Sequence, residues 1–131
     1  MSQEDVKLVR EALERLLTTG ELAWDLIHEE VEVHDHDIPD AREYRGHAGV
    51  RRWLFEDWAA AWSDFSLEPQ EYIDVGESVI AIFRLKATGR GSGVTLERLD
   101  AMVHKVRDGK IVQVDYYNNR EQALKAVGLK Q

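Results

Sequence analysis

Residues 78–118, SVIAIFRLKATGRGSGVTLERLDAMVHKVRDGKIVQVDYYN, decide the fold. Beyond Phe65 the period changes to two, and 78–88, 94–106 and 110–118 read as strands. The breaks are Gly89-Arg90-Gly91-Ser92-Gly93 and Asp108-Gly109. Asp-Gly suits a two-residue hairpin because glycine takes positive φ without a Cβ clash. GRGSG leads into a strand and lacks a following Lys-Ser/Thr, so it is a hairpin turn and not a phosphate loop. One further run, 66–74, joins at Val75-Gly76, giving four consecutive antiparallel strands.

Upstream of these strands the apolar period becomes helical. Val50, Leu54, Trp58, Ala61, Trp62 and Phe65 fall on one stripe of a helix expected from His47 to Asp64, with Trp53 and Phe55 at its borders. VEVHDHD, 31–37, reads as a short strand, followed by a loop marked by Pro39 and Asp40 that runs to about Gly46. A short helix is expected over Glu21 to His28, after a break at Gly20. Residues 3–18 form an amphipathic helix with Val6, Val9, Leu13, Leu16 and Leu17 on one face and Ser2 as its cap. Beyond the last strand, Arg120 to Val127 reads as a short helix ended by Gly128. Helices followed by consecutive strands imply an α+β fold. One domain, 1–131, is expected, with a curved antiparallel sheet around the tryptophan-bearing helix and a pocket at its open end.

Composition narrows the function classes. The 17 Lys and Arg against 25 Asp and Glu leave a net charge of −8, contrary to what nucleic acid or an anionic membrane surface attracts. With no cysteine, disulfides and thiolate chemistry are excluded. No stretch has the length of a membrane span or signal peptide, so a cytoplasmic protein is expected.

Ionisable groups at strand ends are the candidates for chemistry. In VEVHDHD, Val31, Val33, Asp35 and Asp37 share one face, and Glu32, His34 and His36 share the other. Asp35 then lies on the core side at the pocket mouth, where partial desolvation raises a carboxyl pKa and suits a general base. The other reading is a strand-end aspartate capping the following loop. His34 and His36, two apart on one face, have metal-ligand spacing but no third ligand motif; a solvated loop edge explains them, and no metal or other cofactor is expected. On 94–106, Arg98, Asp100, Met102, His104 and Val106 share a face, and on the last strand Val114, Tyr116 and Asn118 do. His104 reads either as a catalytic group or as a core histidine. Trp24, Trp53, Trp58, Trp62 and Phe65 serve as core and pocket wall.

Taken in order, VEVHDH (31–36), EYRGHAGVRRWL (43–54), IDVGESVIAIFRLKATGRGSG (73–93) and VHKVRDGKIVQVDYYNNREQALKAVGL (103–129) resemble the SnoaL-like branch of the nuclear transport factor 2-like superfamily. The resemblance implies a cone-shaped α+β barrel of the kind found in ketosteroid isomerases, polyketide cyclases, limonene-epoxide hydrolases and scytalone dehydratases. It places Asp35 at the proton-shuttling aspartate of the isomerases and makes the Arg98–Val106 set concave. Their hydrogen-bond-donating acid falls on Met102, which donates nothing; Asp100 and His104 flank it. Tyr116 stands where polyketide cyclases carry an essential aspartate. Asp115 aligns, with one gap, to the water-activating aspartate of the epoxide hydrolases, which also need an Arg-x-Asp pair; here that pair is Arg98-Leu99-Asp100, one strand later than theirs, where Arg84 stands alone. The implied activity is cofactor-free isomerisation, cyclisation or dehydration of a small apolar or polycyclic ligand. Asp35 is then the base, with His104, Asp100 and Tyr116 orienting or donating protons, and Trp24, Trp53, Trp58, Trp62, Phe83, Met102 and Asn118 lining the pocket. A non-catalytic binding module and an epoxide hydrolase are the alternatives. Leu99, Ala101 and Val103, with Ile80 and Ile82, make the convex face apolar; family members pair through this surface, so a homodimer is expected.

Overall fold

The computed structural model describes residues 2–37 and 43–128. Helix α1 spans Ser2–Thr19 and buries Val9 and Ala12 on its apolar face. The Ser2 side chain, and the loop signal at Pro39 and Asp40, lie outside the described residues. Strand β1, Ile27–Asp35, is followed by β2, Glu43–Arg45, and by α2, Gly46–Arg51. Strands β3, Trp62–Asp74, β4, Ser78–Gly89, β5, Thr95–Arg107, and β6, Lys110–Tyr117, form the meander. Helix α3, Arg120–Ala126, closes the described chain, with Asn119 Oδ1 accepting from the Gln122 N–H as its cap.

The sheet is curved and unclosed, in the order β2-β1-β6-β5-β4-β3. The α+β class holds, but the sheet is not wholly antiparallel: β1 runs parallel to β6. The Asp108-Gly109 turn adopts positive φ at both residues, 54° and 76°, which matches the hairpin twist. Edge strand β3 carries Pro69 beside an irregularity between Pro69 and Glu71, a position where the missing N–H costs no ladder bond.

Three expectations are corrected. Glu21 to His28 is not a helix; only Trp24–Leu26 forms a 3₁₀ turn, and Ile27 already pairs with Ile111 in the sheet. The expected loop before Gly46 contains β2, which pairs with β1 through Val33 and Tyr44. The long helix stops at Ala61 and not Asp64, and Trp62 enters β3. Arg90 supplies the reason. Its N–H, Nε and Nη2 donate to the carbonyls of Ala61, Ala60 and Trp62 at 2.9, 3.1 and 2.9 Å, satisfying acceptors that a helix end otherwise leaves open.

Between α2 and that end, Arg52–Trp58 is a π-helical segment. Its i→i+5 bonding puts residues five apart on one face. Trp53, expected at a border, is therefore buried with Trp58 at 4% and 6% exposure, while Phe55 and Phe65 remain 39% and 45% exposed.

The convex face is not a free apolar surface. Ile80, Ile82, Ala101 and Val103 are buried against Ala123 and Leu124 of α3, and of the expected patch only Leu99 is left open to solvent. The surface that suggested a homodimer is thus covered by the chain's own last helix. No helix among the described residues is long and apolar enough to cross a membrane.

Candidate functional site

Strand register arranges the concave face in rows. Val33, Val114, His104 and Val79 form one row; Asp35, Tyr116, Met102 and Ala81 form the next. Asp100, Phe83 and Pro69 follow, then Arg98, Leu85 and Leu67. Above these rows, α1 and the helical segment from Gly46 to Ala61 leave a cavity of about 80 Å³. Its wall is almost entirely apolar, built from α1, β1 and the rows above, with Trp53, Trp58, Phe83 and Tyr116 as its aromatic part. Leu17, half-exposed in the last turn of α1, also lines it, so the cavity opens beside that turn.

The polar end of the site is a chain of charge-assisted bonds. The Tyr116 hydroxyl donates to Asp100 Oδ2 in a short hydrogen bond. Arg98 holds the same carboxylate through Nε at 2.6 Å and Nη2 at 3.2 Å, and reaches Asp37 Oδ2 at 3.1 Å. Asn118 Nδ2 donates to the other oxygen of Asp37 at 2.5 Å. Asp100 is fully buried, and desolvation raises its pKa although Arg98 and Tyr116 oppose the rise. Burial, and then the Asp100 charge, push the Tyr116 phenol well above its ordinary value. The Trp58 indole N–H lies close enough to that phenol to oppose the rise, yet completes no hydrogen bond of its own.

Asp35 is corrected from the pocket mouth to the interior, where it is 1% exposed. Its Oδ2 accepts from Trp53 Nε1 at 2.7 Å and its Oδ1 from the Asp37 N–H at 2.9 Å. Both sequence readings are partly present, because the carboxylate caps the turn and also holds a wall tryptophan. Trp53 in turn meets Tyr116 edge-on, 5.9 Å between centroids. Asp35 itself stands behind the cavity wall, as does Asp100, whereas Tyr116, His104, Met102, Trp53, Trp58 and Phe83 are on it. Trp62 lies behind Trp58 with the Arg98 guanidinium 5.8 Å above its ring. Trp24 packs at the edge of the core with its ring tilted against His47 at 4.8 Å, and Asn118 is exposed; neither lines the cavity.

His104 is buried, and the apolar surroundings push its pKa down to about 4, with the nearby backbone of Val79 and Met102 opposing the fall. A histidine neutral in the fold but protonated near 6.5 when unfolded stabilises fully above about 6.5 and progressively less as pH falls toward its folded value. The contribution is on the order of 3 kcal/mol. Urea melts at pH 7 and pH 4.5 will show wild type losing more stability than His104→Leu by roughly that amount; equal losses contradict a buried neutral imidazole.

Asp115 points to the convex side, accepting from Gln113 Nε2 at 2.8 Å and facing His36 Nε2 at 2.9 Å. It is opposite Val103 in the ladder with no irregularity at that point, so the inward turn needed for an epoxide-hydrolase role is not made. Arg84 pairs with Glu97 on the same outer side. His34 and His36 do not share one centre: His36 stacks on Tyr117, while His34 sits between Glu32 and Glu43. Ligand atoms of Glu32, His34 and Glu43 lie within 4.8 Å of one another, and Arg45 pairs with both carboxylates.

The sequence reading missed Asp37 and gave Arg98 no role beside Tyr116. The signal was present, since Arg98 and Asp100 share a strand face two residues apart, and Asp37 shares that of Asp35.

A family model described as the SnoaL-like domain matches residues 9–114. The chain belongs to the SnoaL-like family. Solved structures similar to this SnoaL-like chain include an NTF2-like protein from Burkholderia thailandensis, 22% identical, with TM-score 0.76 over 93% of this chain and 95% of that one. TerC, co-crystallised with polyporic acid, is 16% identical, with TM-score 0.71 over 95% and 98%. A protein with a ketosteroid isomerase-like fold from Catenulispora acidiphila, in complex with trimethylamine, is 15% identical, with TM-score 0.69 over 94% and 93%. These likenesses show the fold. No curated protein matches the SnoaL-like chain in sequence.

Proposed function

We propose that the protein binds a small, largely apolar carbonyl compound in the concave cavity and moves a proton on it without a cofactor. The observation that carries this reading is the meeting of an apolar cavity with the Tyr116–Asp100–Arg98 chain at its wall. Tyr116 directs its O–H to Asp100 as a hydrogen-bond donor, so its oxygen presents a lone pair to the ligand. A proton leaving the carbon beside the carbonyl passes to the Tyr116 oxygen while the Tyr116 proton passes to Asp100. The electron pair stays on the ligand as an enolate, and reversal returns the proton at the same or a conjugated carbon. The Trp58 N–H, buried and without a hydrogen bond, suits the carbonyl oxygen on which charge develops. Asp35 acts through Trp53 as a positioning residue. Asp100, raised by desolvation but ionised beside Arg98, is the final proton acceptor.

The cavity is smaller than the roughly 150 Å³ void that takes up benzene. A single ring therefore fills it and extends toward the opening at Leu17, and a polycyclic body needs α1 to yield. The co-crystallisation of TerC with polyporic acid supports small-molecule binding in this fold.

Ligand binding without catalysis is the second reading, favoured by the commitment of both Asp35 oxygens to Trp53 and Asp37. Both readings require the cavity to prefer a ketone over its hydrocarbon counterpart. Titration by tryptophan fluorescence is expected to give acetophenone about five- to tenfold tighter binding than ethylbenzene, and Trp58→Phe to erase the difference, as one net hydrogen bond is worth about 1 kcal/mol. Equal binding of the two compounds by wild type contradicts the carbonyl assignment.

A further inference from the structure

His104 has no part in the proton movement just described, yet it is the other titratable side chain beside Tyr116 on the cavity wall. It lies two residues along β5 from the Met102–Tyr116 row, about 7 Å away by strand rise. His104 is 4% exposed, and its Nδ1 completes no hydrogen bond among the described residues, although the backbone of Val79 and Met102 lies close to the imidazole. Its row neighbours are Val33, Val114 and Val79, and Val9 and Ala12 of α1 are buried nearby, with Tyr72 packed against the Val9–Val79 cluster as the nearest titratable side chain that those contacts bring in. A buried polar atom left without a partner costs free energy that a purely structural leucine at this position avoids.

Building on the carbonyl-ligand reading, we infer that the natural ligand is bifunctional, carrying a second hydrogen-bonding group that meets His104 across one ring from the carbonyl held at Trp58 and Tyr116. His104 is then the specificity-determining residue of the cavity. The imidazole is neutral at physiological pH because its burial holds it uncharged, so it suits a hydroxyl or similar neutral group better than a carboxylate. The ligand class is a compact aromatic or cyclic ketone with a hydroxyl on the far side of the ring.

Three probes separate this from a core role: acetophenone, 4-methylacetophenone and 4-hydroxyacetophenone. Wild type binds the hydroxyl compound about tenfold more tightly than the methyl compound, which has nearly the same shape. His104→Leu loses that preference while keeping its affinity for 4-methylacetophenone, and His104→Gln, which retains hydrogen-bonding groups, keeps part of it. In ¹⁵N spectra the His104 ring nitrogens shift on adding 4-hydroxyacetophenone and stay in place with acetophenone. If all three ketones bind wild type alike and the His104 nitrogens respond to none, the bifunctional ligand is overturned while the carbonyl reading stands. If none of the three binds, both fall.

Discussion

Arg98→Met lowers the unfolding free energy at neutral pH by about 3 kcal/mol, the low end of the roughly 3–5 kcal/mol lost when one partner of a buried ion pair is removed. The low end applies because about a quarter of the Arg98 side chain meets water. What remains is Asp100, fully buried, with Tyr116 as its neutral donor. A carboxyl whose folded pKa lies above its unfolded value favours the fold while protonated, and that advantage is lost as pH rises through the folded pKa. In wild type the Asp100 contribution is therefore complete below the ordinary carboxylate range and gone above its raised value. Without Arg98 the raised value climbs further, so the deficit measured in urea is larger at pH 8 than at pH 5. Arg98→Met combined with Asp100→Asn recovers most of the loss, because the amide oxygen still accepts from Tyr116 and no charge is buried. A deficit independent of pH, or one the second substitution deepens, contradicts the ion-pair account.

Asp100→Asn has its other large effect on proton movement. Tyr116 is a poor base by itself, since a neutral phenol takes up the substrate proton only as its own proton leaves, and Asp100 is where that proton goes. An amide cannot take it. Removing a positioned general base costs about 10²–10⁴-fold in rate, so α-proton exchange of a bound ketone falls by that factor in Asp100→Asn while ketone binding stays within a few-fold of wild type. The wild-type rate rises with pH through an apparent pKa above the ordinary carboxylate range, following Asp100. A pH-independent rate, or full exchange in Asp100→Asn, rules out Asp100 as the acceptor.

How far the sequence discloses this site depends on the range of the interaction that fixes each part. The meander is legible because its signals are local: alternation writes each strand, and Asp108-Gly109 writes its own turn. The end of the long helix is not, because the group that satisfies its last carbonyls, Arg90, is about thirty residues away. A 3.6-residue period placed Trp53 at the border of the stripe; the π-helical segment moves it into the core, and periodicity carries no mark of such a segment. Alternation did put Asp35 on the core side, but its partner Trp53 lies across the fold, so the turn from pocket mouth to buried support was invisible. Arg98 and Asp100 were readable as a same-face pair, whereas the bond from Asp100 to Tyr116 depends on β5–β6 register. The convex face was read correctly as apolar and its cover was assigned to a second copy, whereas the chain's own α3 packs over it.

The most direct test follows the methyl protons of acetophenone by NMR in D₂O with wild type and Tyr116→Phe. The account predicts protein-dependent exchange in wild type, lost by at least about 100-fold in Tyr116→Phe, with acetophenone still bound by the variant. Equal exchange in the two proteins, or binding by wild type with no exchange above buffer, contradicts proton transfer through Tyr116.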